Sequence, residues 1–267
     1  MHVSPKDTIH AEIIGDRTLP RIVFLHGFLG SKEEWRSLAL SIENRYSSLI
    51  VDLPGHGEAP SLEVAARTGF FERTAEALAQ IISVEASPPC FLVGYSMGGR
   101  LALFLALRFP ELFSKVIILS ASPGLQTLGE RSRRQKQDDQ IARKIEKNFE
   151  GFLRFWYEQP LFFSLKNHPR FRETEQKRQQ NNPGELALAL RLLGTGVQPS
   201  LWDELADNRI PIAFFAGEKD PKFVEIGMQM VKLCPSSNLE IFADCGHALH
   251  IENREEFTSR LKVFFKQ

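Results

Sequence analysis

CFLVGYSMGGR, residues 90–100, runs from an apolar segment through the pattern Gly-x-Ser-x-Gly into a segment with helical periodicity. In this context the serine sits on a sharp, strained turn between a strand and a helix, with its hydroxyl exposed at the end of the sheet. Gly94 and Gly98 let the neighbouring backbone pass without a clash. The free N–H groups of the helix then point at the reaction centre. The stretch predicts that Ser96 is a reactive hydroxyl, and the alternative is a serine that merely caps a helix in a glycine-rich turn.

Short apolar runs alternate with helical patterns along the rest of the chain. Strands are predicted at 21–26, 47–54, 90–96, 115–122, 211–220 and 238–247. Helices are predicted at 70–82, 97–109, 222–233 and 253–266. The runs are apolar at nearly every position, which is typical of parallel strands covered by helices on both faces. With the Gly-x-Ser-x-Gly turn, this alternation predicts an α/β-hydrolase fold, built on a mostly parallel, doubly wound sheet.

The segment 123–200 breaks the alternation. It contains no β-rich run, and QIARKIEKNFEGFLRFWYE (140–158) has the periodicity of helices. The segment holds 14 Lys and Arg against 9 Asp and Glu, whereas the whole chain is neutral with 33 of each. We predict a helical cap at 123–200, inserted into a core formed by 1–122 and 201–267. The positive charge has two interpretations, a solvated helical face or a lid over an anionic ligand.

A serine hydroxyl needs a base within hydrogen-bond reach, and the base needs an acid that fixes its tautomer. In this fold the order along the chain is Ser, then Asp or Glu, then His. Asp220 ends the fifth apolar run and His247 ends the sixth, at the edge where open α/β sheets form their ligand crevice. Ser96, Asp220 and His247 are therefore the predicted catalytic triad. Glu218 and His250 lie close by in sequence and are the rival candidates.

HGFLG, residues 26–30, follows the first apolar run and is the predicted oxyanion hole. Backbone N–H groups are fixed donors that can be aimed at the position where negative charge develops. The predicted donors are the N–H of Phe28 and the N–H of Met97, the residue after the serine. PGHG at 54–57 is predicted to be a structural turn. The histidine in each turn precedes the serine in sequence and is the weaker candidate for the base.

Arg100 lies four residues after the serine, so both face one side of the same helix. The helix dipole disfavours a cation in the first turn, and the following LALFLALRF has the composition of a buried segment. A cation in such a place meets an anion, which is either a ligand or a core carboxylate. The insert adds Arg134, Trp156 and Arg178, and arginines there could grip a carboxylate bidentately. The sequence leaves open whether these side chains point inward.

Composition and charge exclude several classes of partner. A neutral chain gives no sign of nucleic acid or of an acidic membrane surface. The N-terminus lacks the pattern of a signal peptide, and no apolar run approaches the roughly 18 residues that span a bilayer. The three cysteines, Cys90, Cys234 and Cys245, form no CxxC pair and fit small buried residues of a reducing compartment. We expect a cytoplasmic protein without nucleic-acid or membrane partners.

Several motifs between about residue 21 and the C-terminus carry a more specific signal. They are HGFLGSKEEW, DLPGHG, VGYSMGGR, PGLQ with a downstream RR, WYEQPLF, KRQQNN, GEKDPKF and CGHALHIEN. Together they resemble the motifs of the 2-succinyl-6-hydroxy-2,4-cyclohexadiene-1-carboxylate synthases of menaquinone and phylloquinone biosynthesis. GYSMGGR, WYEQP and the Arg-plus-Asn run are the most specific. One departure is EAPS after PGHG, where many members of that family place a serine within two residues.

The resemblance implies a reaction, the elimination of pyruvate from 2-succinyl-5-enolpyruvyl-6-hydroxy-3-cyclohexene-1-carboxylate by a carbon–oxygen lyase. It implies that the triad works as a general base, with no metal and no cofactor. It also implies that Arg100, Arg134 and Arg178 hold a tricarboxylate substrate, with Tyr95 and Trp156 in the pocket. Two other functions stay open. They are a serine hydrolase of the same fold, such as a carboxylesterase or a C–C bond hydrolase, and a non-enzymatic binding protein.

Overall fold

The computed structural model describes residues 9–62 and 68–266. Residues 1–8, which belong to the predicted core range, lie outside the described part. The described strands are β1 (His10–Ile14), β2 (Arg21–Leu25), β3 (Ser47–Asp52), β4 (Cys90–Tyr95), β5 (Phe113–Leu119), β6 (Ile212–Gly217) and β7 (Ser237–Phe242). They form one sheet in the order β1-β3-β2-β4-β5-β6-β7, in which β1 is antiparallel to β3 and the other neighbours are parallel.

Helices connect these strands. They are α1 (Glu33–Ile42), α2 (Phe70–Glu85), α3 (Met97–Arg108), α4 (Leu128–Lys147), α5 (Phe149–Tyr157), α6 (Phe163–Lys166), α7 (Phe171–Gln179), α8 (Pro183–Leu193), α9 (Pro221–Leu233), α10 (Leu249–Glu252) and α11 (Arg254–Phe264). None of the helices in the described ranges is long and apolar enough to cross a membrane.

The predicted α/β architecture is confirmed, because each of the six apolar runs contains a strand. Four of the five interior strands, β2, β3, β4 and β6, are buried at every residue, as expected where helices cover both faces of a sheet. The edge strand β1 was not predicted. Its sequence, HAEII, is half-buried and pairs antiparallel with β3, so it lacks the continuous apolar run by which the others were found.

The strands end earlier than the apolar runs suggest, and this places the site residues in loops. β6 ends at Gly217, so Asp220 lies at the start of α9. β7 ends at Phe242, so His247 lies in the loop before α10. Both loops follow the carboxyl ends of parallel strands, beside the turn that joins β4 to α3.

Five helices, α4 to α8, lie between β5 and β6 in the region predicted as the cap. Helix α8 packs into the core through two apolar clusters. Leu186, Ala187 and Leu190 belong to the cluster that contains α1, and Leu192 and Leu193 belong to the cluster that contains α2 and α3. The helices are therefore fixed to the sheet by buried apolar surface. The division into a core and a cap with a boundary at 123 and 200 stays a prediction.

Candidate active site

The turn between β4 and α3 has the strained geometry that the Gly-x-Ser-x-Gly pattern predicts. Ser96 has φ +50° and ψ −105°, a conformation that side chains other than glycine rarely adopt. A Cβ added to Gly98 would lie 2.5 Å from the carbonyl oxygens of Leu25 and His26. A Cβ added to Gly94 would lie 2.5 Å from the carbonyl oxygen of Gly98. Any larger residue at either position would therefore push the turn away from the sheet.

The structure brings Ser96, His247 and Asp220 into one hydrogen-bonded chain. His247 Nε2 lies 3.1 Å from Ser96 Oγ, and His247 Nδ1 lies 2.7 Å from Asp220 Oδ2. Asp220 and His247 are each 3% exposed. Because an ionised carboxylate only accepts hydrogen bonds, Nδ1 carries the proton and Nε2 is free to accept the serine proton. The rival Glu218 instead accepts from the N–H of Asp244 at an exposed position.

Two backbone N–H groups border Ser96 in the arrangement that the sequence predicts. Phe28 and Met97 line the same cavity as the serine. Within the described residues, neither amide donates a hydrogen bond to a protein atom. Helix α3 begins at Met97, so the positive end of its dipole also faces this point. The pair can therefore stabilise an oxyanion that forms beside the serine.

Buried neutral histidines hold the loop that carries Phe28. His26 Nδ1 donates to the carbonyl of Gly27 at 2.8 Å, and its Nε2 accepts from the N–H of Leu53 at 3.0 Å. His56 Nε2 accepts from the N–H of Leu29 at 3.3 Å. Burial lowers the pKa of both rings, to about 3 for His56, so each keeps one donor and one acceptor nitrogen. The PGHG turn thus supports the candidate oxyanion hole through His56.

Ser96 and His247 line a cavity of about 330 Å³, which we call the main cavity because it contains both the serine and the histidine of the triad. Its wall combines apolar side chains of the core and the cap with a few charged groups. Three of the predicted substrate-binding residues, Arg100, Arg134 and Trp156, line it. Trp156 packs edge-on against Phe28, with ring centres 5.7 Å apart. The arrangement suits a small anionic molecule whose reacting atoms lie against the serine.

Arg100 is a buried cation without a carboxylate partner in the part of the chain that the structure describes. Its Nη2 donates to the carbonyl of Leu193 at 2.8 Å, and its Nη1 donates to Oε1 of Gln198 at 3.3 Å. Burial lowers the pKa of Arg100, and the charge of Arg134 lowers it further. Among the described residues, Arg100 therefore forms no ion pair with a core carboxylate, which was the alternative to a ligand in the sequence analysis. The guanidinium charge is left for a ligand.

Arg134, on α4, is oriented by Asp138 one turn later. Arg134 Nε donates to Asp138 Oδ1 at 2.7 Å, and Asp138 is 2% exposed. The second carboxylate oxygen accepts from the N–H of Gly196 at 3.4 Å, and a Cβ on Gly194 would come within 2.5 Å of it. Neither Nη group of Arg134 donates a hydrogen bond within the described residues. The outer edge of this guanidinium is therefore available to the cavity.

Sequence reasoning missed a further cation in this wall, Lys222. It lies two residues after Asp220, in the first turn of α9. A signal was present, because a cation in the first turn of a helix that starts at the ligand edge is disfavoured by the dipole. The same argument singled out Arg100. An anion, Glu130, also lines the cavity, so the cavity is positive overall but mixed.

Tyr95 and Arg178 do not line the main cavity but a second one, of about 30 Å³, on the other side of the serine. Ser96, Phe28 and Trp156 line both. Tyr95 is buried between the two histidine rings of the region, with its ring centre 5.5 Å from that of His247. The predicted pocket residues therefore divide between two spaces that meet at the serine.

Arg178 lies in a buried cluster with Glu34 and His250. Arg178 Nη2 donates to one oxygen of Glu34, and His250 Nε2 donates to the other at 2.9 Å. Arg178 Nη1 also donates to the carbonyl of Leu29 at 3.0 Å, next to the candidate oxyanion donor Phe28. Burial raises the pKa of Glu34, but Arg178 and the hydrogen bond from His250 outweigh it and hold the pKa well below its usual range. This arginine thus has an anionic partner already.

One group in the described ranges has the spacing of metal ligands, His10, Asp52 and Glu58. Lys32 Nζ lies 3.1 Å from Asp52 Oδ2 and 2.7 Å from Glu58 Oε2. The lysine therefore supplies the positive charge that a metal ion would bring to these two carboxylates.

The comparisons with known proteins agree with this geometry. Residues 20–254 match the family model described as alpha/beta hydrolase fold. A Bacillus subtilis (strain 168) protein, named provisionally as a 2-succinyl-6-hydroxy-2,4-cyclohexadiene-1-carboxylate synthase, is 37% identical over 94% of this chain and 92% of its own length. The synthase of that name from Escherichia coli O1:K1 / APEC is 34% identical over 90% and 91%. The structure of MenH from S. aureus superposes with a TM-score of 0.90, with 32% identity over 96% and 97%.

Proposed function

Because the chain belongs to the α/β-hydrolase fold family and, within it, to the 2-succinyl-6-hydroxy-2,4-cyclohexadiene-1-carboxylate synthases, we propose that it eliminates pyruvate from 2-succinyl-5-enolpyruvyl-6-hydroxy-3-cyclohexene-1-carboxylate. The reaction belongs to menaquinone or phylloquinone biosynthesis. One observation carries the proposal. A triad hydroxyl lines a cavity in which a buried arginine, Arg100, has no carboxylate partner in the described part of the chain.

The triad acts as a general base in this reaction. Ser96 gives its proton to His247 and takes the proton from the carbon beside the succinyl carbonyl. The carbonyl oxygen becomes an enolate, which the N–H groups of Phe28 and Met97 stabilise. The electron pair then moves through the ring, and the ring carbon–oxygen bond breaks. The enolpyruvyl group leaves as the enolate of pyruvate, which takes up the proton held by His247 to give pyruvate and restores the neutral imidazole. Asp220 holds the imidazole in the required tautomer and stabilises its protonated form.

The cations of the main cavity bind the carboxylates. Among the described residues, Arg100 has no carboxylate partner and the Nη groups of Arg134 donate no hydrogen bond. A charge-assisted hydrogen bond to a carboxylate contributes about 1.5–3 kcal/mol, and a paired arrangement also fixes the orientation of the ligand. Trp156 covers the ring of the substrate. Arg178 and Tyr95 line the second cavity beside Ser96 and complete the pocket of this proposal. Arg178 also holds the loop of Phe28 through the carbonyl of Leu29.

The proposed function also implies a partner and a cellular location for the protein. Its partner is a small tricarboxylate, and it acts in the cytoplasm without nucleic acid. The charge balance of the sequence supports this setting, since 33 basic residues are matched by 33 acidic ones.

Pyruvate release tests the proposed function. The protein is incubated with the enolpyruvyl intermediate, and pyruvate is followed with a coupled NADH assay. The wild type should release one pyruvate per substrate, and Ser96→Ala should slow turnover by about 10³-fold, because the general base is lost. Its melting temperature should stay at or above that of the wild type. Absence of pyruvate together with rapid p-nitrophenyl acetate cleavage would identify a hydrolase instead.

A further inference from the structure

Ser120 belongs to the wall of the main cavity and carries a buried hydroxyl that the proposed mechanism does not use. The residue is 2% exposed, and its Oγ has no hydrogen-bond partner among the described residues. A buried hydroxyl without a partner costs free energy, so native proteins retain few of them. Ser120 nevertheless lines the cavity that contains Ser96 and His247.

The backbone at Ser120 is strained as well. Its φ is +45°, in the region that favours glycine, although the residue is a serine. Its N–H donates to the carbonyl of Phe215 at 2.9 Å, which fixes the residue at the end of β5. Strained residues of this kind cluster at sites where ligands bind. Two separate costs, in the backbone and in the hydroxyl, thus fall on one residue of the cavity wall.

The position of Ser120 relative to the reacting groups is defined by the sheet. The carbonyl of the preceding Leu119 accepts the N–H of Ser96 at 2.9 Å. The following Ala121 contacts the first turn of α3, where a Cβ on Gly99 would lie 2.7 Å from the methyl group of Ala121. The backbone carbonyl of Ser122 accepts a hydrogen bond from Nε2 of Gln198, and Oε1 of Gln198 accepts one from Arg100. Ser120 therefore shares a cavity with Ser96 and Arg100, and its neighbours in the chain are hydrogen-bonded to Ser96 and, through Gln198, to Arg100.

We propose that Ser120 Oγ, turned into the cavity by rotation about χ1, is a substrate-contact group that hydrogen-bonds an uncharged oxygen of the bound substrate, such as its ring hydroxyl or its carbonyl. The carboxylates have Arg100 and Arg134, so a neutral hydroxyl in the same cavity matches an oxygen without a full charge. The ligand satisfies the hydroxyl that the free protein leaves unpaired. This assignment rests on the proposed function, since it names a contact with the same substrate.

Ser120→Ala tests the contact, with Ser48→Ala as the matched control. Ser48 Oγ is also buried without a partner, but it lies in β3 and does not line the cavity. Ser120→Ala should raise KM for pyruvate release about three- to tenfold, the effect of one neutral hydrogen bond. Its melting temperature should equal or exceed that of the wild type, because an unpaired hydroxyl is removed. Ser48→Ala should leave KM unchanged with a similar melting temperature.

A second variant, Ser120→Gly, separates the hydroxyl from the methylene group and relieves the positive φ. It should show the same rise in KM and a higher melting temperature. Wild-type KM in both Ser120 variants, with an active wild-type enzyme, would overturn the substrate contact. A wild type that releases no pyruvate would overturn the proposed function instead, so the two failures are distinguishable.

Discussion

Arg100 and Arg178 are buried arginines on opposite sides of the same serine, and their surroundings differ in one respect. Arg178 has a carboxylate partner, Glu34, whose other oxygen is bound by His250. Within residues 9–62 and 68–266, Arg100 has two neutral oxygens as hydrogen-bond partners and no carboxylate. Burial lowers the pKa of Arg100, whereas at Arg178 the charge of Glu34 outweighs burial and raises the pKa. The difference indicates that Arg178 stabilises the fold, whereas Arg100 is available to bind an anionic ligand.

The comparison also suggests a test of the role that the family resemblance implies for Arg178, which stays a prediction. Its Nη groups donate to Glu34 and to the carbonyl of Leu29, whereas its Nε has no hydrogen-bond partner in the described part of the chain. Its side chain lines the second cavity and not the main one. It acts on the reaction through the loop that carries Phe28. We therefore treat Arg178 as a positioning residue and Arg100 as a substrate ligand, and the same substitution at both positions can test the distinction.

The largest effect is expected from Arg178→Met. Removing the arginine leaves Glu34 as a buried charge with only a histidine partner, which costs about 3–5 kcal/mol of unfolding free energy. Denaturant unfolding of the variant should show this loss as a lower midpoint. Adding Glu34→Gln to Arg178→Met removes the orphaned charge and should restore more than half of the loss. A variant as stable as the wild type would mean that the pair does not hold the fold.

How far the sequence could predict this site depends on the range of the interactions. Ser96, Asp220 and His247 follow from local signals, since each lies at the end of an apolar run of the sequence, in the order that the fold requires. The state of the arginines does not, because the partner of Arg178 lies 144 residues away and that of Arg100 lies 93 residues away. No periodicity or motif reports which side chain meets which across such distances.

Other features escaped prediction for different physical reasons. The edge strand β1 is half-buried and alternates polar with apolar residues, so a search for continuous apolar runs passes over it. The backbone strain of Ser120 and its unpaired hydroxyl arise only in the folded protein, so no sequence pattern reports them. Lys222 could have been found, since it shares with Arg100 an unfavourable position in the first turn of a helix.

Arg100→Met should have the opposite signature to Arg178→Met. It removes a charge that has no carboxylate partner, and it loses two hydrogen bonds to neutral oxygens of about 1 kcal/mol each, so the net change in unfolding free energy should be under about 2 kcal/mol. The value of kcat/KM for pyruvate release should fall about 10–100-fold, the worth of one charge-assisted hydrogen bond to a carboxylate. A variant that unfolds while the remaining folded fraction keeps wild-type kcat/KM would reverse the assignment.

The smallest expected effect concerns Asp138, which orients Arg134 but does not line the main cavity. Asp138→Asn keeps an oxygen for Arg134 Nε but weakens the hydrogen bond from a charge-assisted to a neutral one, so the guanidinium is held less firmly. The KM for pyruvate release should rise about three- to tenfold, with unfolding free energy within about 1 kcal/mol of the wild type. Asp139→Asn is the matched control, because the adjacent Asp139 pairs with Arg191 and Arg143 outside the cavity. If both variants raise KM equally, the effect comes from the charge of α4 as a whole. If only Asp138→Asn raises KM, each cavity arginine needs its own protein partner to bind the substrate. That partner is a pair of neutral oxygens for Arg100 and a buried carboxylate for Arg134.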